Sequence, residues 1–159
     1  MFKIFYPDKY YESTFKIDFK SEYDNGIRGV IFDIDNTLVE HDADADKRAK
    51  EFFANLKEIG LKVCLLSNNQ KERVERFNED ICVYYIYNAK KPRRKNYLKA
   101  MEKMGTDRNT TLFVGDQLFT DVYGANRTGI PSILVKPIHP KEEIQIVLKR
   151  YLERIVLYF

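Results

Sequence analysis

The sequence contains few of the residues that build disulfide frameworks, zinc knuckles or membrane spans. Its two cysteines, Cys64 and Cys82, lack the paired spacing of a zinc site, and two free thiols suit a reducing cytoplasm. The longest apolar runs, such as VCLL at 63–66, fall far short of the roughly 20 residues that a membrane helix needs. The start, MFKIFYPDKYYES, has an early acidic residue and no apolar stretch of signal-peptide length. We therefore expect a cytoplasmic protein with no transmembrane segment.

A large excess of charge of one sign is also missing. The chain has 27 Lys and Arg residues against 24 Asp and Glu residues, and a net charge of +3 is too small to imply a nucleic-acid partner. A length of 159 residues fits one ordinary domain, so we expect a single domain over 1–159. Aromatic residues are abundant, with 11 Tyr and 11 Phe, and they crowd the first residues of the chain. We interpret 1–26 as an aromatic-rich extension packed on the edge of a sheet.

From about residue 27, short apolar runs alternate with helical patterns. Alternating strands and helices predict crossover units and a parallel sheet covered on both faces. Ligands of such sheets bind beyond the carboxyl ends of the strands. The predicted strands are 29–33, 62–67, 83–87, 111–116 and 132–136. The predicted helices are 46–59, 70–79, one that starts at Pro92 and stops at Gly105, 118–128, and a last helix at 140–157.

Two carboxylates lie at the end of the first predicted strand, in the run DIDNT. Asp33 and Asp35 are two residues apart, so their side chains project to the same side of a strand. Asp and Asn are also frequent in turns at strand ends, which gives a purely structural interpretation. Two close carboxylates repel unless a cation or a shared proton lies between them. The pair alone leaves both interpretations open.

Further polar residues follow the other predicted strands. Asp116 and Asp121, in GDQLFTD, offer the oxygen ligands that Mg²⁺ prefers, although Asp121 would also suit the first turn of a helix. Ser67 opens the run SNN, and helix openings bind phosphate. The basic run KKPRRK contains Lys91, and it suits either a solvated face or the neutralisation of phosphate. Each signal is weak alone, but all of them lie after strands of one predicted sheet.

In this order the motifs resemble those of the haloacid dehalogenase superfamily of phosphohydrolases. The matching runs are DIDNTLV at 33–39, Ser67 in LLSNN, Lys91 in KKP, and GDQLFTD at 115–121. The runs YPDKYYES, GIRGVIFDIDNTLVEHD and GDQLFTDVYGANRTG are similar to those of the capless subgroup IIIA and its YqeG-type family. The resemblance implies an α/β fold, a three-layer Rossmann-like sandwich. It further implies a five-stranded parallel sheet, in which the predicted strands take the order 5-4-1-2-3, and no cap domain.

The resemblance also implies a role for each matching residue. Asp33 would be the nucleophile that forms an aspartyl-phosphate, and Asp35 the general acid and base. Lys91 would neutralise charge between the nucleophile and the phosphate. The implied Mg²⁺ ligands are Asp33, the backbone carbonyl of Asp35, Asp116 and Asp121, where Asp121 either binds through water or orients Lys91. The implied substrate-binding residues are Ser67, Asn68, Arg93 and Arg94.

The spacing of the motifs leaves no room for a cap. Only 24 residues separate Ser67 from Lys91, which is enough for one helix and one strand. A site without a cap is open to solvent and cannot enclose a small metabolite by closure. Relatives of the YqeG-type family act in mitochondria as phosphatidylglycerophosphate phosphatases. By this analogy the expected substrate is a phosphomonoester on a phospholipid headgroup.

Contact with a membrane surface would suit such a substrate. The aromatic N-terminal segment interleaves lysines, and the predicted last helix carries Lys and Arg around an apolar stripe, as interfacial segments do. Packing against the sheet explains both segments equally simply and is the interpretation that we favour. We therefore expect at most peripheral contact with the inner face of a membrane. Two alternatives stay open: a phosphatase for a soluble phosphoprotein, nucleotide or sugar phosphate, and a non-catalytic binding module.

Overall fold

The computed structural model describes residues 3–138 and 153–157. Its strands form one six-stranded sheet in which every neighbouring pair is parallel, in the order β1-β6-β5-β2-β3-β4. The strands are β1 (Lys9–Tyr11), β2 (Gly29–Phe32), β3 (Lys62–Leu66), β4 (Tyr84–Ile86), β5 (Thr111–Gly115) and β6 (Ser132–Val135). The helices are α1 (Phe19–Asp24), α2 (Lys47–Ile59), α3 (Lys71–Asn78), α4 (Arg94–Met104) and α5 (Tyr123–Thr128).

The predicted α/β class is confirmed, but the predicted number of strands is wrong. The five predicted strands pair in the predicted order, and β1 adds a sixth strand at the edge, where Lys9 lies opposite Ile133. The run KYY is short and mostly exposed, so it lacks the apolar pattern of the inner strands. Asp8 fixes its entry, because its carboxylate accepts a hydrogen bond from the Ser132 N–H at 2.7 Å.

Side chains from alternate positions of the strands form two separate cores. Val30 and Phe32 of β2 face one core, with α1, α2 and α3, whereas Ile31 faces the other, with α4 and α5. Helices therefore cover both faces of the sheet in three layers. The N-terminal extension packs into the first core, since the Phe19 ring lies 5.9 Å from that of Phe32.

The register of the strands brings the ends of β2, β3 and β5 to one edge of the sheet. Residues 29–32 of β2 pair with 62–65 of β3 on one side and with 111–114 of β5 on the other. Each strand is followed directly by one of the predicted site residues: Asp33 after β2, Ser67 after β3 and Asp116 after β5. The chain thus places its polar motifs side by side, beyond the carboxyl ends of the strands.

The observed helices start and end close to their predicted bounds, with one difference at the start of α4. Helix α4 begins at Arg94 rather than at Pro92, and Pro92 instead follows a cis peptide bond from Lys91. Helix α2 lies close to its predicted bounds. Asp46 caps its first turn, and Gly60 ends it with a φ of 104°, a conformation that a residue without a Cβ adopts most easily. Most of the predicted helix at 140–157 lies outside the described residues, but 153–157 are helical.

The segment between the first and third motifs holds no inserted domain. Between β2 and β3 the structure has a loop and α2, and between β3 and β4 it has α3 and a short turn. The whole of 33–91 is described, so the predicted absence of a cap holds within it. Across the described ranges, no helix combines the length and the apolar character that crossing a bilayer requires.

Candidate active site

Lys91 lies between two carboxylates at the end of the sheet. Its Nζ atom donates to Asp33 Oδ1 at 2.9 Å and to Asp121 Oδ1 at 2.7 Å. The Lys91 and Asp121 side chains are buried, and only 13% of the Asp33 side chain is exposed. Charge-assisted hydrogen bonds of this kind are strong, so the ammonium group is held beside the Asp33 carboxylate.

A third carboxylate, Asp116, joins this group through a hydroxyl. Thr37 Oγ1 lies 3.2 Å from Asp116 Oδ1 and 3.5 Å from Asp33 Oδ2. Asp33, Asp116 and Asp121 each offer a carboxylate oxygen, and these oxygens lie within 4.8 Å of one another. Hard oxygen donors this close suit a divalent cation, which would relieve their mutual repulsion. Thr37 was not among the predicted site residues, although it lies within the DIDNT run.

A widened turn of helix sets the position of Asp121. Residues Leu118–Val122 form a π-helical turn before α5, in which the Val122 N–H donates to the Gln117 carbonyl at 3.2 Å. The second oxygen of Asp121 accepts the Gln117 N–H at 3.1 Å. Both carboxylate oxygens of Asp121 therefore have protein donors. This arrangement favours the orientation of Lys91 over direct binding of a cation.

Tyr97 supports the same turn from α4. Its hydroxyl donates to the Thr120 carbonyl at 2.6 Å, and its side chain is fully buried. Burial raises the pKa of Tyr97 above its ordinary value, so the phenol stays a hydrogen-bond donor. Tyr97 lies within the helix predicted to start at Pro92, where no sequence motif marks it. Its hydroxyl contact joins elements that the sequence does not relate.

Burial and mutual attraction together set the pKa values of Asp33 and Lys91. Burial raises the pKa of Asp33 to about 6, although the nearby Lys91 ammonium opposes this shift. Burial alone would lower the pKa of Lys91, but Asp121 and Asp33 together raise it above its ordinary value. Lys91 is therefore a permanent cation in this site, and Asp33 depends on it, and on any bound cation, to stay ionised.

Asp35 has a different set of partners from Asp33. Its Oδ1 atom accepts hydrogen bonds from Arg73 Nη2 at 2.9 Å and from the Asp42 N–H at 2.7 Å. His41 Nδ1 lies 3.9 Å from the same oxygen. Arg73 was not predicted as a site residue. The sequence feature that could have indicated it is a charged residue next to the apolar positions Val74 and Phe77 of the predicted helix at 70–79.

Of the predicted phosphate-binding residues that follow β3, Ser67 is buried and Asn68 is exposed. The Ser67 hydroxyl accepts the Asn69 N–H at 3.0 Å. The Asn68 side chain is turned toward the lysine loop, because its Oδ1 accepts the Lys91 N–H at 2.7 Å. Asn68 thus fixes the backbone of Lys91.

The predicted substrate-binding arginines are on the surface beside the lysine loop. Arg93 and Arg94 have exposed side chains, as do Lys90 and Lys95. We call these four residues the basic rim. No ion pair within the described ranges involves them, so their charge faces solvent next to the buried Lys91.

Cys64 has no part in this site. It lies in β3 within the second core, and burial raises the pKa of its thiol to about 12. A thiol with this pKa is neutral at physiological pH, and the thiolate is the reactive form.

Comparison with known proteins identifies the chain. The HAD-hydrolase-like family matches residues 88–143. The chain is 38% identical to the Probable phosphatase YqeG of Bacillus subtilis over 156 residues, which cover 98% of this chain and 91% of that protein. The chain belongs to the YqeG-like family of HAD-superfamily phosphatases. The resemblance inferred from the four motifs is therefore confirmed, together with the enzyme class.

Solved structures agree on the fold. An uncharacterised protein from Listeria monocytogenes serotype 4b superposes with a TM-score of 0.58 at 17% identity, covering 84% of this chain and all of that one. The 3-deoxy-D-manno-octulosonate 8-phosphate phosphatase of Moraxella catarrhalis, solved with magnesium, phosphate and KDO, has a TM-score of 0.50 at 15% identity. That match covers 62% of this chain and 64% of the other. At these identities the likeness concerns the fold alone.

Proposed function

We propose that this phosphatase is a Mg²⁺-dependent phosphomonoesterase that forms an aspartyl-phosphate on Asp33. The observation that carries the proposal is the position of Lys91, whose ammonium group touches both Asp33 and the buried Asp121. A cation fixed at this point offsets the charge of an incoming phosphoryl group without first having to reorganise. Phosphoryl transfer depends mostly on such positioning and charge neutralisation.

The donor set fits the proposed metal ion. Asp33, Asp116 and the backbone carbonyl of Asp35 would supply oxygen ligands, and the carboxylates already lie close together. When bound, Mg²⁺ supplies positive charge to the phosphoryl oxygens. Asp121 acts through Lys91 in this proposal, since its two oxygens accept from Lys91 and from the Gln117 N–H.

The chain's own groups complete the reaction. A carboxylate oxygen of Asp33 attacks phosphorus as the bond to the ester oxygen breaks, and Asp35 gives its proton to the departing oxygen. A water molecule then attacks the aspartyl-phosphate and gives its proton to Asp35. Inorganic phosphate leaves and the Asp33 carboxylate is restored. Ser67 and the Asn68 N–H hold phosphoryl oxygens during both steps.

We further propose that the substrate is a phospholipid headgroup, and specifically phosphatidylglycerophosphate, which would yield phosphatidylglycerol. Two features support this choice. The segment 33–91 contains no cap to enclose a soluble substrate. The basic rim of Lys90, Arg93, Arg94 and Lys95 lies exposed beside Lys91, where an anionic membrane surface would meet it.

The catalytic proposal is tested with Asp33→Asn. The variant is expected to release no phosphate from any ester, because an amide cannot form the phosphoenzyme, whereas wild-type protein with Mg²⁺ is expected to bind beryllofluoride as an acyl-phosphate mimic. Asp24→Asn, an exposed carboxylate paired with Lys20, is the matched control and is expected to keep full activity. Turnover by Asp33→Asn would contradict the proposal.

The lipid proposal needs a separate assay. Phosphate release from phosphatidylglycerophosphate in mixed micelles with Mg²⁺ is compared with release from glycerol 3-phosphate at the same concentration. A higher kcat/KM for the lipid supports the proposed substrate. Ready cleavage of the soluble ester without cleavage of the lipid would contradict the lipid substrate but leave the catalytic proposal intact.

A further inference from the structure

Arg73 holds one particular oxygen of Asp35. Its side chain is 4% exposed, and its Nε and Nη2 atoms lie 3.2 Å and 2.9 Å from Asp35 Oδ1. We propose that Arg73 is the positioning residue that fixes the general acid, by deciding which oxygen of Asp35 carries the proton. This inference rests on the proposed role of Asp35 and extends it to a residue on a different element, α3.

The hydrogen bonds to Asp35 are strongly one-sided. Within 3–138 and 153–157, the hydrogen bonds to this carboxylate end on Oδ1: two from Arg73 and one from the Asp42 N–H. An oxygen that already accepts three hydrogen bonds has no room for a proton of its own. The proton of the acid form is therefore confined to Oδ2. The same contacts fix the rotation of the side chain, so Oδ2 is the atom presented to the leaving group.

A buried arginine at position 73 is not expected if this position serves the stability of the fold alone. The side chain is buried, with its guanidinium carbon 5.8 Å from the centre of the Phe77 ring. Its Nη1 atom is buried and has no hydrogen-bond partner among the described residues. Burying a guanidinium group is costly, and leaving one of its nitrogens unpaired adds to the cost. A long apolar side chain would avoid this cost, so the arginine is explained by its ion pairs, with Asp35 at 2.9 Å and, at 3.7 Å, with Asp42.

Arg76 provides a matched comparison on the same helix. It donates to Asp42 Oδ1 at 2.9 Å and to Asp44 Oδ1 at 2.7 Å, so it also ties α3 to the loop after β2. Unlike Arg73, it is partly exposed and makes no contact with Asp35 in the described ranges. A purely structural role in holding the loop would be shared by both arginines. A role in proton transfer belongs to Arg73 alone.

The proposal predicts a dependence on the leaving group. As the phosphorus–oxygen bond breaks, an alkyl ester releases a strongly basic oxygen that needs the proton from Asp35 Oδ2. A 2,4-dinitrophenyl ester releases a weakly basic oxygen that departs without it. The comparison uses kcat/KM, which covers the steps up to the formation of the phosphoenzyme and excludes its hydrolysis.

The experiment measures kcat/KM for propyl phosphate and 2,4-dinitrophenyl phosphate with Mg²⁺ in wild type, Arg73→Met, Arg73→Lys and Arg76→Met. For Arg73→Met we expect a loss on the alkyl ester at least tenfold larger than on the aryl ester. Arg73→Lys keeps the charge but loses the two-donor fork, and it should show the same selectivity to a smaller degree. Arg76→Met should keep the wild-type ratio. In an Asp35→Asn background, Arg73→Met should add no further selectivity.

Each other outcome has a defined meaning. If the Arg73 variants lose both esters equally, or if Arg76→Met shows the same selectivity, Arg73 is structural and the inference is overturned. Thermal unfolding checks that each variant folds, and Arg73→Lys decides the question if Arg73→Met does not fold. If Asp35→Asn itself loses both esters equally, the assignment of Asp35 as the acid is wrong, and the failure lies in the proposed function.

Discussion

Gly115 and Asp121 lie so close together that no side chain fits between them. A Cβ atom placed on Gly115 would lie 2.6 Å from Cγ of Asp121, which is closer than non-bonded carbon atoms approach in proteins. Asp121 in turn holds Lys91 in place at 2.7 Å. The glycine at the end of β5 is therefore a spatial requirement of the lysine site rather than of the strand.

This contact predicts that Gly115→Ala impairs catalysis through Lys91. The added methyl group would displace the Asp121 carboxylate, and a displacement of about 1 Å near the chemistry can cost roughly 100-fold in rate. We expect kcat to fall by about tenfold to 100-fold. The check is kcat for Gly115→Ala, Asp121→Asn and the double variant. If both changes act through Lys91, the double variant should be no slower than Asp121→Asn alone, whereas additive losses would contradict the mechanism.

The two cationic groups near the site should differ in what they affect. Lys91 is buried against Asp33, so Lys91→Ala should reduce kcat by about 100-fold or more. Arg94 is exposed on the basic rim, so Arg94→Ala should mainly raise KM. Steady-state kinetics with one phosphomonoester measures both. Equal and negligible effects of the two changes would contradict this division of roles.

Much of this site could be predicted because its residues follow recognisable strands. The runs around β2 and β5 are buried at every position, so their ends, and hence Asp33 and Asp116, could be located from the pattern alone. Strand β1 could not, because KYY is exposed at two of three positions and is held mainly by its pairing with β6. The hydrophobic pattern of a sequence indicates buried strands, and an exposed edge strand such as β1 carries little of that pattern.

The supporting contacts of the site could not be predicted for a different reason. The bond between Arg73 and Asp35 joins residues 38 apart in the sequence, and the Asn68 contact to Lys91 spans 23 residues. Each depends on the rotation of a helix or loop relative to the sheet, which periodicity does not encode. The proposed role of Asp121 depends in the same way on its two hydrogen bonds, which favour the orientation of Lys91 over direct metal binding.

A bound cation should stabilise the fold as well as support catalysis. Asp33, Asp116 and Asp121 lie within 4.8 Å of one another, and Lys91 pairs with Asp33 and Asp121, so a bound cation would reduce the repulsion among the three carboxylates. We expect Mg²⁺ to raise the Tm of the wild type, with about 2.7 kcal/mol of stabilisation at 100 times Kd. Asp116→Asn should largely abolish this increase, and the surface control Asp24→Asn should keep it. Calorimetry with and without EDTA makes the comparison, and an equal Mg²⁺ response in Asp116→Asn would exclude this site.

The raised pKa of Asp33 predicts a pH-dependent cost to stability in the absence of metal. Its value is about 6 in the folded protein against 3.8 for an ordinary aspartate, so the folded state binds the proton more tightly than the unfolded state. The favourable contribution of Asp33 is thus complete below about pH 4 and is lost as the pH rises through about 6.

Asp33→Asn removes this titration. In EDTA, the variant should be more stable than wild type above pH 6, by up to about 3 kcal/mol, because burial of the carboxylate charge is no longer required. Below about pH 4 the two proteins should have similar free energies of unfolding, since a protonated aspartic acid resembles asparagine. Urea unfolding from pH 4 to pH 8 measures the difference. A constant difference across this range would mean that the pKa of Asp33 is not raised in the folded protein.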